Sequence, residues 1–301
     1  ALSSGNYSGG TYNIAIGSFV GYAHTSGSNN IGIGSWAFRY LTSGSDNIAY
    51  GRSANHGVTT GNRNIAVGTN AYDNADTESD NIAIGYDALG GAIAGGEKNV
   101  SIGNYSGDAL TSGDYNVFVG HKAGTGVTTG QANVIVGNQE YTSSTMTGSF
   151  NVHIGQRAGE DTTDGTYNTL VGASSGSSIS SGDYNTTLGV NAAFRVTTEH
   201  GNVALGYHAG YQAKGNYNIN IGYKAGQQAG TVGTGTNNIY IGAETANAVP
   251  GAGSGNVAIG KGEFASATGN DQLLISSGDG DVDWITGTSA GAVNLPNSIL
   301  T

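Results

Sequence analysis

The sequence predicts an all-β protein that folds as a parallel β-solenoid (β-roll) of about fifteen 17-residue coils. The first observation is a five-residue motif, Asn-aliphatic-x-aliphatic-Gly, which begins at Asn13 and recurs fourteen more times, the last at Asn256. The second is the spacing, because successive copies begin 16 to 20 residues apart and most often 17. The third is the alternation of β-branched residues inside the motif, which is the period of a strand. A period of this length indicates a repeat architecture.

The motif itself predicts the strand of each coil. With its Asn numbered 0, position +1 is Ile or Val in thirteen copies and position +3 is Ile, Val or Leu in fourteen, whereas position +2 varies. The alternation predicts that +1 and +3 face the interior and that +2 faces outward. In one copy, for example, Ile219 and Ile221 are expected inside and Asn220 outside.

The Asn and Gly columns predict structural roles. Gly fills position +4 in every copy, which indicates a sharp bend or a close backbone approach. Asn carboxamides in coils stacked ~4.8 Å apart can form a hydrogen-bonded ladder; alternatively, Asn tolerates the turn at the strand entrance. The representative ladder residues are Asn13, Asn64, Asn116, Asn168 and Asn218, with Gly17, Gly68, Gly120, Gly172 and Gly222.

The remainder of each coil is also patterned. Position +7 is Ala or Ser in eleven copies, position +11 is apolar in twelve, and position −3 is Gly in thirteen, with Glu78 and Glu199 as the exceptions. We expect a tightly packed small-residue segment, a second short strand and a glycine turn. The repeats predict a solenoid region over residues 1–265 and a β-rich cap or linker over residues 266–301.

The core that this pattern offers is thin for a solenoid that stands alone, since small cores leave little surplus over conformational entropy. Packing of copies around a symmetry axis would hide more apolar surface, and closed rings are the usual arrangement of homo-oligomers. The sequence therefore suggests an intertwined or side-by-side homotrimer.

Composition excludes several classes of partner. A net charge of −11 disfavours nucleic acid, which proteins bind through basic patches. No apolar run approaches the ~18 residues of a membrane span, so we expect no membrane insertion.

The chain has no Cys and its six His lack metal-ligand spacing; we expect these His on the surface. Asp279, Asp281 and Asp283 have the spacing of a Ca²⁺ loop but lack its Gly and Glu. No metal and no cofactor are predicted.

The carboxylates form no pattern that indicates catalysis. Glu160–Asp161 and the acids between Asp73 and Asp80 resemble ordinary surface charge rather than the paired acids of a glycosidase, so no catalytic residue is predicted. Aromatic side chains are the better candidates, because they bind sugars and protein surfaces. The predicted receptor-binding residues are Trp36, Phe38, Tyr40, Tyr86, Tyr207 and Tyr223, with the loop Gly230–Gly235 as an alternative.

The repeats resemble a known group of surface proteins. Asn-Ile-Ala-Ile-Gly is similar to the head repeats of trimeric autotransporter adhesins, and Gly215–Gly226 resembles still more closely the repeats of phage tail fibres. The resemblance covers residues 5–265. It implies a trimeric β-roll, and the segment after Ser266 is similar to the link between such repeats and a C-terminal chaperone that is cleaved after trimerisation. The autotransporter stalk and membrane-anchor strands are not found, which favours the fibre.

The resemblance also implies a function and a location. We expect an extracellular shaft or head of a virion tail fibre, whose partners are further copies of itself, other fibre or virion proteins, and a glycan or protein receptor on the host cell. Two alternatives remain open: the head of an adhesin on a bacterial cell surface, and a tailspike that cleaves glycans.

Overall fold

The computed structural model describes residues 10–138, 145–227, 234–246, 253–264, 269–279, 283–288, 290–291 and 293–295. The chain divides into two compact units, Ala1–Asn151 and Val152–Thr301. Both are built from coils of one short strand each, and the predicted all-β parallel solenoid is confirmed, with about 14 turns. The described residues contain no helix, and therefore no helix that could cross a membrane.

The strands lie where the motif predicts them. The first unit contains β1 (Ile14–Ile16), β2 (Ile31–Ile33), β3 (Ile48–Tyr50), β4 (Ile65–Val67), β5 (Ile82–Ile84), β6 (Val100–Ile102), β7 (Val117–Val119) and β8 (Val134–Val136). The second contains β9 (Val152–Ile154), β10 (Thr169–Val171), β11 (Thr186–Leu188), β12 (Val203–Leu205), β13 (Ile219–Ile221), β14 (Ile239–Ile241), β15 (Val257–Ile259), β16 (Leu273–Ser276), β17 (Asp283–Gly287) and β18 (Val293–Asn294).

Within each unit the strands that carry the motif, β1 to β8 and β9 to β15, pair in parallel with the next, and equal motif positions face one another. Ile14 pairs with Ile31 in the first unit, and Thr169 pairs with Thr186 in the second. The parallel stack of the second unit continues into β16, after which β17 and β18 add antiparallel strands. The register follows directly from the period of the sequence.

The segments between strands are held by backbone hydrogen bonds between coils. The N–H of Gly34 donates to the carbonyl of Ile16 at 2.8 Å, and that of Trp36 donates to Ser18 at 2.9 Å. Many residues at positions −1, +6 and +8 have a left-handed backbone, for example Tyr72 with φ 54°. That conformation costs about 1–2 kcal/mol in a residue with a side chain, and the bonds between coils offset the cost.

The Asn column forms a buried ladder of hydrogen bonds. The backbone N–H and the side-chain amide of Asn116 both donate to Oδ1 of Asn99, at 2.9 and 3.1 Å, and its amide also donates to the carbonyl of Gly130 at 2.9 Å. Oδ1 of Asn116 accepts the backbone N–H of Asn133 at 2.9 Å. The other representative positions also bond to the next coil, namely Asn13, Asn64, Asn168 and Asn218.

Two positions of this ladder carry Glu78 and Glu199 in place of Gly at −3. Their carbonyls still accept the ladder amides of Asn64 and Asn185, both at 2.8 Å. The carboxylate of Glu78 accepts backbone N–H groups of Asp76 and Gly95, and that of Glu199 accepts N–H groups of its own turn. Both carboxylates therefore stabilise the turn by accepting hydrogen bonds from backbone N–H groups.

The Gly at +4 lies against the backbone of the next coil. Gly120 has φ +134°, and a β-carbon on it would lie 2.2 Å from the carbonyl oxygen of Gly137. The same close approach, with φ between +126° and +137°, occurs at Gly17, Gly68, Gly172 and Gly222. A side chain at +4 is therefore excluded twice, by the torsion angle and by the space.

The predicted orientation of the strand was wrong. Position +2 faces the interior in every strand from β2 to β15, and positions +1 and +3 are half-buried or exposed. Asn220 is 2% exposed, whereas its neighbours Ile219 and Ile221 are only half-buried. The alternation has the correct period, but the interior of so narrow a coil has room for one strand side chain and not for two large aliphatic ones.

The interior is filled by positions +2, +7, +8 and +11 together. In the coil of Asn64, the small Ala66 at +2 accompanies the buried Tyr72 at +8. In the coil of Asn116 the sizes are reversed, with Phe118 at +2 and Gly124 at +8. The predicted second strand at +11 is also wrong, because these residues belong to no named strand of the described chain, although Val127 forms an isolated bridge with Met146.

Candidate functional site

The turn that follows each strand carries the aromatic residues that the sequence singles out. Tyr86, Tyr207 and Tyr223 occupy position +5, directly after the Gly bend, and are 41%, 44% and 48% exposed. Trp36 and Tyr40, farther along the same segment of their coil, are 40% and 46% exposed. These five side chains are available to a ligand on the isolated chain.

Phe38 does not belong to this surface. It is 2% exposed and packs in the core of the first unit. Its left-handed backbone, with φ 54°, turns the ring toward the strand, where a β-carbon on Gly32 would lie 2.9 Å from the ring. The space that glycine leaves at +2 is occupied by Phe38, so the prediction that it contacts a receptor was wrong.

Three successive coils of the first unit bring aromatic rings around one arginine, and we call this group the Arg39 cluster: Phe19, Tyr22, Trp36, Arg39, Tyr40 and His56. The guanidinium carbon of Arg39 lies 5.3 to 6.0 Å from the ring centroids of Phe19, Tyr22, Trp36 and Tyr40. The His56 ring meets Tyr40 edge-on at 5.0 Å. These distances allow cation–π contacts.

The charge of the Arg39 cluster is not compensated within the part of the chain that the structure describes. No acidic side chain there forms an ion pair with Arg39, and its Nε atom is covered without a hydrogen-bond partner. Burial and then the positive charge of Arg39 lower the pKa of His56 from its ordinary value. His56 is therefore neutral at pH 7, and Arg39 is the cation of the cluster.

Two other cations of the first and second units, in contrast, have carboxylate partners. Arg63 bonds Asp80 at 2.6 Å, and Lys261 lies 3.1 Å from Glu244. The Asp80 pKa is held below its usual value by the hydrogen bond from Arg63. Arg39 differs from them in having rings where they have carboxylates.

Tyr86 belongs to a separate group in the first unit. Its ring meets Tyr105 of the next coil edge-on, with centroids 5.3 Å apart. Tyr105 in turn contacts His121 at 6.3 Å. The two tyrosines are both exposed and present ring edges and hydroxyls to a ligand.

The second unit carries a group of stacked rings, which we call the Tyr207 cluster: Phe194, Tyr207, His208, Tyr211 and Tyr223. Tyr207 stacks on Tyr223 with centroids 5.5 Å apart, and His208 lies between Tyr207 and Tyr211 at 4.1 and 4.7 Å. The His208 nitrogens contact the amides of Asn191 and Gln227, both at 3.1 Å.

Lys224 lies beside this cluster. Its Nζ lies 5.1 Å from the centroid of the Tyr223 ring. Burial, and then the charge of Lys224, lower the pKa of His208. The Tyr207 cluster therefore has a neutral imidazole at its centre, fixed by two amides, and a lysine at its margin.

A further aromatic column was not predicted from the sequence. Six of the fifteen residues that directly precede the ladder Asn are aromatic and at least 49% exposed: Tyr12, Tyr115, Phe150, Tyr167, Tyr184 and Tyr217. Tyr167 and Tyr184 stack with centroids 5.2 Å apart and planes 3° from parallel. The signal was present, because an alignment of the copies places an aromatic at −1 repeatedly.

Two histidines correct the prediction that all six lie on the surface. His24 is 2% exposed and His153 is 0% exposed. His153 occupies the inward position +2 of β9, and neither ring nitrogen has a hydrogen-bond partner among the described residues. Burial lowers the pKa of His153 to about 4, so the imidazole is neutral in the folded protein.

The acidic residues form no group that could hold a metal ion among the described residues. Asp281 of the predicted acidic turn lies outside them, as does most of the loop Gly230–Gly235. Burial, and then the charge of Asp87, raise the pKa of Asp73 to about 6. Burial and the charge of Glu160 raise the pKa of Asp161.

Comparisons with protein-family models and with curated proteins give no match for this chain.

Proposed function

We propose that the protein is a homotrimeric structural fibre or adhesin that attaches to a host surface, and specifically the shaft or head of a virion tail fibre in the extracellular space. The observation that carries the proposal is the row of outward Ile and Val side chains at positions +1 and +3, which we call the aliphatic stripe. The resemblance of the repeats to tail fibres and adhesin heads supports the same function.

The aliphatic stripe is larger than soluble monomers usually expose. Each of the eight strands of the first unit contributes two outward side chains, which are Ile or Val except for Tyr50 and are all half-buried or exposed. Ile14 and Ile16 are 49% and 55% exposed. If each side chain offers roughly 50 Å², this stripe supplies about 800 Å², which is the area that one partner buries in a stable complex. Apolar patches of that size mark interaction surfaces.

Another copy of the chain is the best partner for the aliphatic stripe. The two outward side chains recur with every coil, at the ~4.8 Å spacing of paired strands. A partner that packs against many coils needs the same spacing, and a second copy has it by construction. Threefold closure buries the stripe of every copy around one axis and leaves no copy unpaired.

We assign attachment to the aromatic clusters, because they lie in the turns beyond the aliphatic stripe and not on the stripe itself. Trp36, Tyr86 and Tyr207 all lie in the turns after the strands. Each contact to a glycan or protein receptor can be weak, because three copies in a fibre, and several fibres on a particle, multiply it by avidity.

Native mass spectrometry tests the assembly. We expect a mass of about 90 kDa, three times the 30.1 kDa of one chain. Replacement of Ile65 and Ile82 on the aliphatic stripe by Lys should give a folded monomer, since both side chains point outward. Ser43→Lys, at an exposed position outside the strands, is the control and should remain trimeric. A monomeric or dimeric parent protein contradicts the trimer.

Adsorption to host cells tests attachment. Pairs of aromatic residues are replaced by Ser in three variants, which are Trp36 with Tyr40, Tyr86 with Tyr105, and Tyr207 with Tyr223. At least one variant should lose adsorption while its trimer mass and its melting temperature are kept. Gln131→Ser, an exposed polar substitution, is the control. Unchanged adsorption in all three would assign recognition to another part of the fibre.

A further inference from the structure

We propose that the Arg39 cluster is a binding site for carboxylated saccharides, the class of sugars that contains uronic and sialic acids. This inference rests on the proposed function and names the ligand class of one attachment surface. It combines two properties of the cluster, which are a cation without a counter-charge and exposed aromatic rings around it.

The charge of the cluster selects an anion. Arg39 is half-buried, its Nε has no hydrogen-bond partner, and it has no acidic partner in the described chain. A guanidinium in this state has lost part of its hydration without gaining a carboxylate. Its planar geometry matches a carboxylate, which can accept two parallel hydrogen bonds. The vacant pairing capacity of Arg39 therefore fits the acid group of a ligand.

The rings of the cluster select a sugar. Trp36, Tyr40 and Tyr22 are 40%, 46% and 53% exposed around Arg39. Aromatic surfaces bind the apolar C–H faces of sugar rings, and a Tyr hydroxyl can add hydrogen bonds to the sugar hydroxyls. An inorganic anion would pair with Arg39 but would gain nothing from the rings. A saccharide with one carboxylate uses both parts of the cluster.

The overall charge of the protein restricts the ligand further. The chain carries a net charge of −11, and His56 beside Arg39 is neutral because of its lowered pKa. A nucleic acid or another dense polyanion is repelled by the net charge of the protein and meets a single cation in the cluster. A ligand with isolated carboxylates, separated by neutral sugar units, avoids most of that repulsion.

Trp36 provides a reporter inside the site. The chain has two tryptophans, so in a Trp284→Phe background all tryptophan fluorescence comes from Trp36. We expect digalacturonic acid or sialyllactose to change this fluorescence on titration. The methyl ester of the first sugar and plain lactose should bind at least tenfold more weakly. The affinity for the acidic sugars should fall as NaCl is raised, because a charge pair is involved.

Variants test the role of Arg39 directly. Arg39→Gln should lower the affinity for the acidic sugar at least tenfold without a change in melting temperature, and Arg39→Lys should retain part of the binding. Arg63→Gln, which removes an arginine paired with Asp80, is the control and should bind as the parent does. Absence of binding, equal affinity for acid and ester, unchanged affinity in Arg39→Gln, or tighter binding of a phosphorylated sugar would each overturn the proposal.

The outcome separates this inference from the proposed function. A trimeric protein that adsorbs to host cells but does not bind carboxylated sugars contradicts the ligand class and leaves the fibre intact. A protein that neither trimerises nor adsorbs contradicts the fibre, whatever the purified chain binds.

Discussion

Gly124 lies against the face of the Phe118 ring six residues before it: a β-carbon on Gly124 would lie 2.5 Å from Cδ1 of Phe118. Gly159 has the same relation to His153, and Gly176 to Leu170. Where the residue at +2 is small, the large residue is at +8 instead, as with Gly32 and Phe38. Positions +2 and +8 of one coil therefore share a single volume, and a large residue at one position requires a small residue at the other.

This relation predicts the effect of changes in the coil of Asn116. Gly124→Ala should destabilise the fold by about 2–4 kcal/mol, because it adds overpacking to the cost of φ +69° in a residue with a β-carbon. Phe118→Ala should cost about 3–5 kcal/mol through the cavity it leaves. Urea unfolding measures both.

The double variant Phe118→Ala with Gly124→Tyr copies the sizes of Ala66 and Tyr72. We expect it to be more stable than the sum of its single changes implies, since the tyrosine refills the cavity. Strictly additive effects would mean that the two positions do not share a volume.

His153 predicts a dependence of stability on pH. The unfolded chain takes up a proton at His153 near pH 6.5, whereas the folded chain does so only near pH 4. Between these values the unfolded state binds more protons, so the free energy of unfolding falls as pH falls. The contribution of this residue is fully present above pH 6.5, and about 3 kcal/mol of it should be lost by pH 4.

Urea unfolding at pH 7 and pH 4.5 checks this pH dependence. His153→Phe copies the arrangement of Phe118 with its glycine and should flatten the profile relative to the parent protein. Gln131→Phe, at an exposed position without a titratable group, is the control and should keep the pH dependence of the parent. If His153→Phe keeps the full pH dependence of the parent, the imidazole is not buried in the neutral form.

Asn220 and Ile221 test the orientation of the strand. Asn220→Asp should destabilise the protein by several kcal/mol at pH 7, because it places an unpaired charge in the interior. Ile221→Asp should cost the single chain about 1 kcal/mol or less, since its side chain is half-exposed. Thermal unfolding of both variants in dilute protein measures the difference. The reverse order of stability would restore the inward orientation of the aliphatic residues.

The Asn ladder predicts a cost for each broken position. Asn116→Ala removes the acceptor of the Asn133 N–H and the donor to the Gly130 carbonyl, and both groups are buried. Each unsatisfied group costs about 1–3 kcal/mol, so we expect a loss of about 2–5 kcal/mol in urea unfolding. Asn104→Ala, outside the ladder, is the control and should cost about 1 kcal/mol or less. Similar losses in both variants would mean that the ladder contributes no specific stability.

The sequence by itself determined the architecture. A recurring Asn and Gly at a fixed period, with alternating β-branched residues between them, requires short strands that stack in register. The Gly at +4 is interpretable from its recurrence alone, because only glycine tolerates both the torsion angle and the contact that Gly120 makes with the next coil. The Asn column was assigned to a ladder or a turn, and the structure shows the ladder bonds of Asn116 and its equivalents.

The tertiary structure decided which side of the strand is inside. A period of two states that neighbours point in opposite directions, but it does not state which direction is the interior. That depends on how much volume remains once positions +7, +8 and +11 have been placed. The side chains at +2 and +8 are correlated in size, which indicates that +2 faces the interior. This correlation can be interpreted only once the structure shows that the two positions are in contact.

The surface clusters depend on the tertiary structure for the same reason. Rings of Tyr22, Tyr40 and His56 come from three successive coils and meet because the coils stack in register. The sequence identified Trp36 and Tyr40 as exposed but also included Phe38, which the turn directs inward. Composition and spacing determine where an aromatic residue lies along a coil, whereas the left-handed torsion angles of the turn decide whether it faces the core or the solvent.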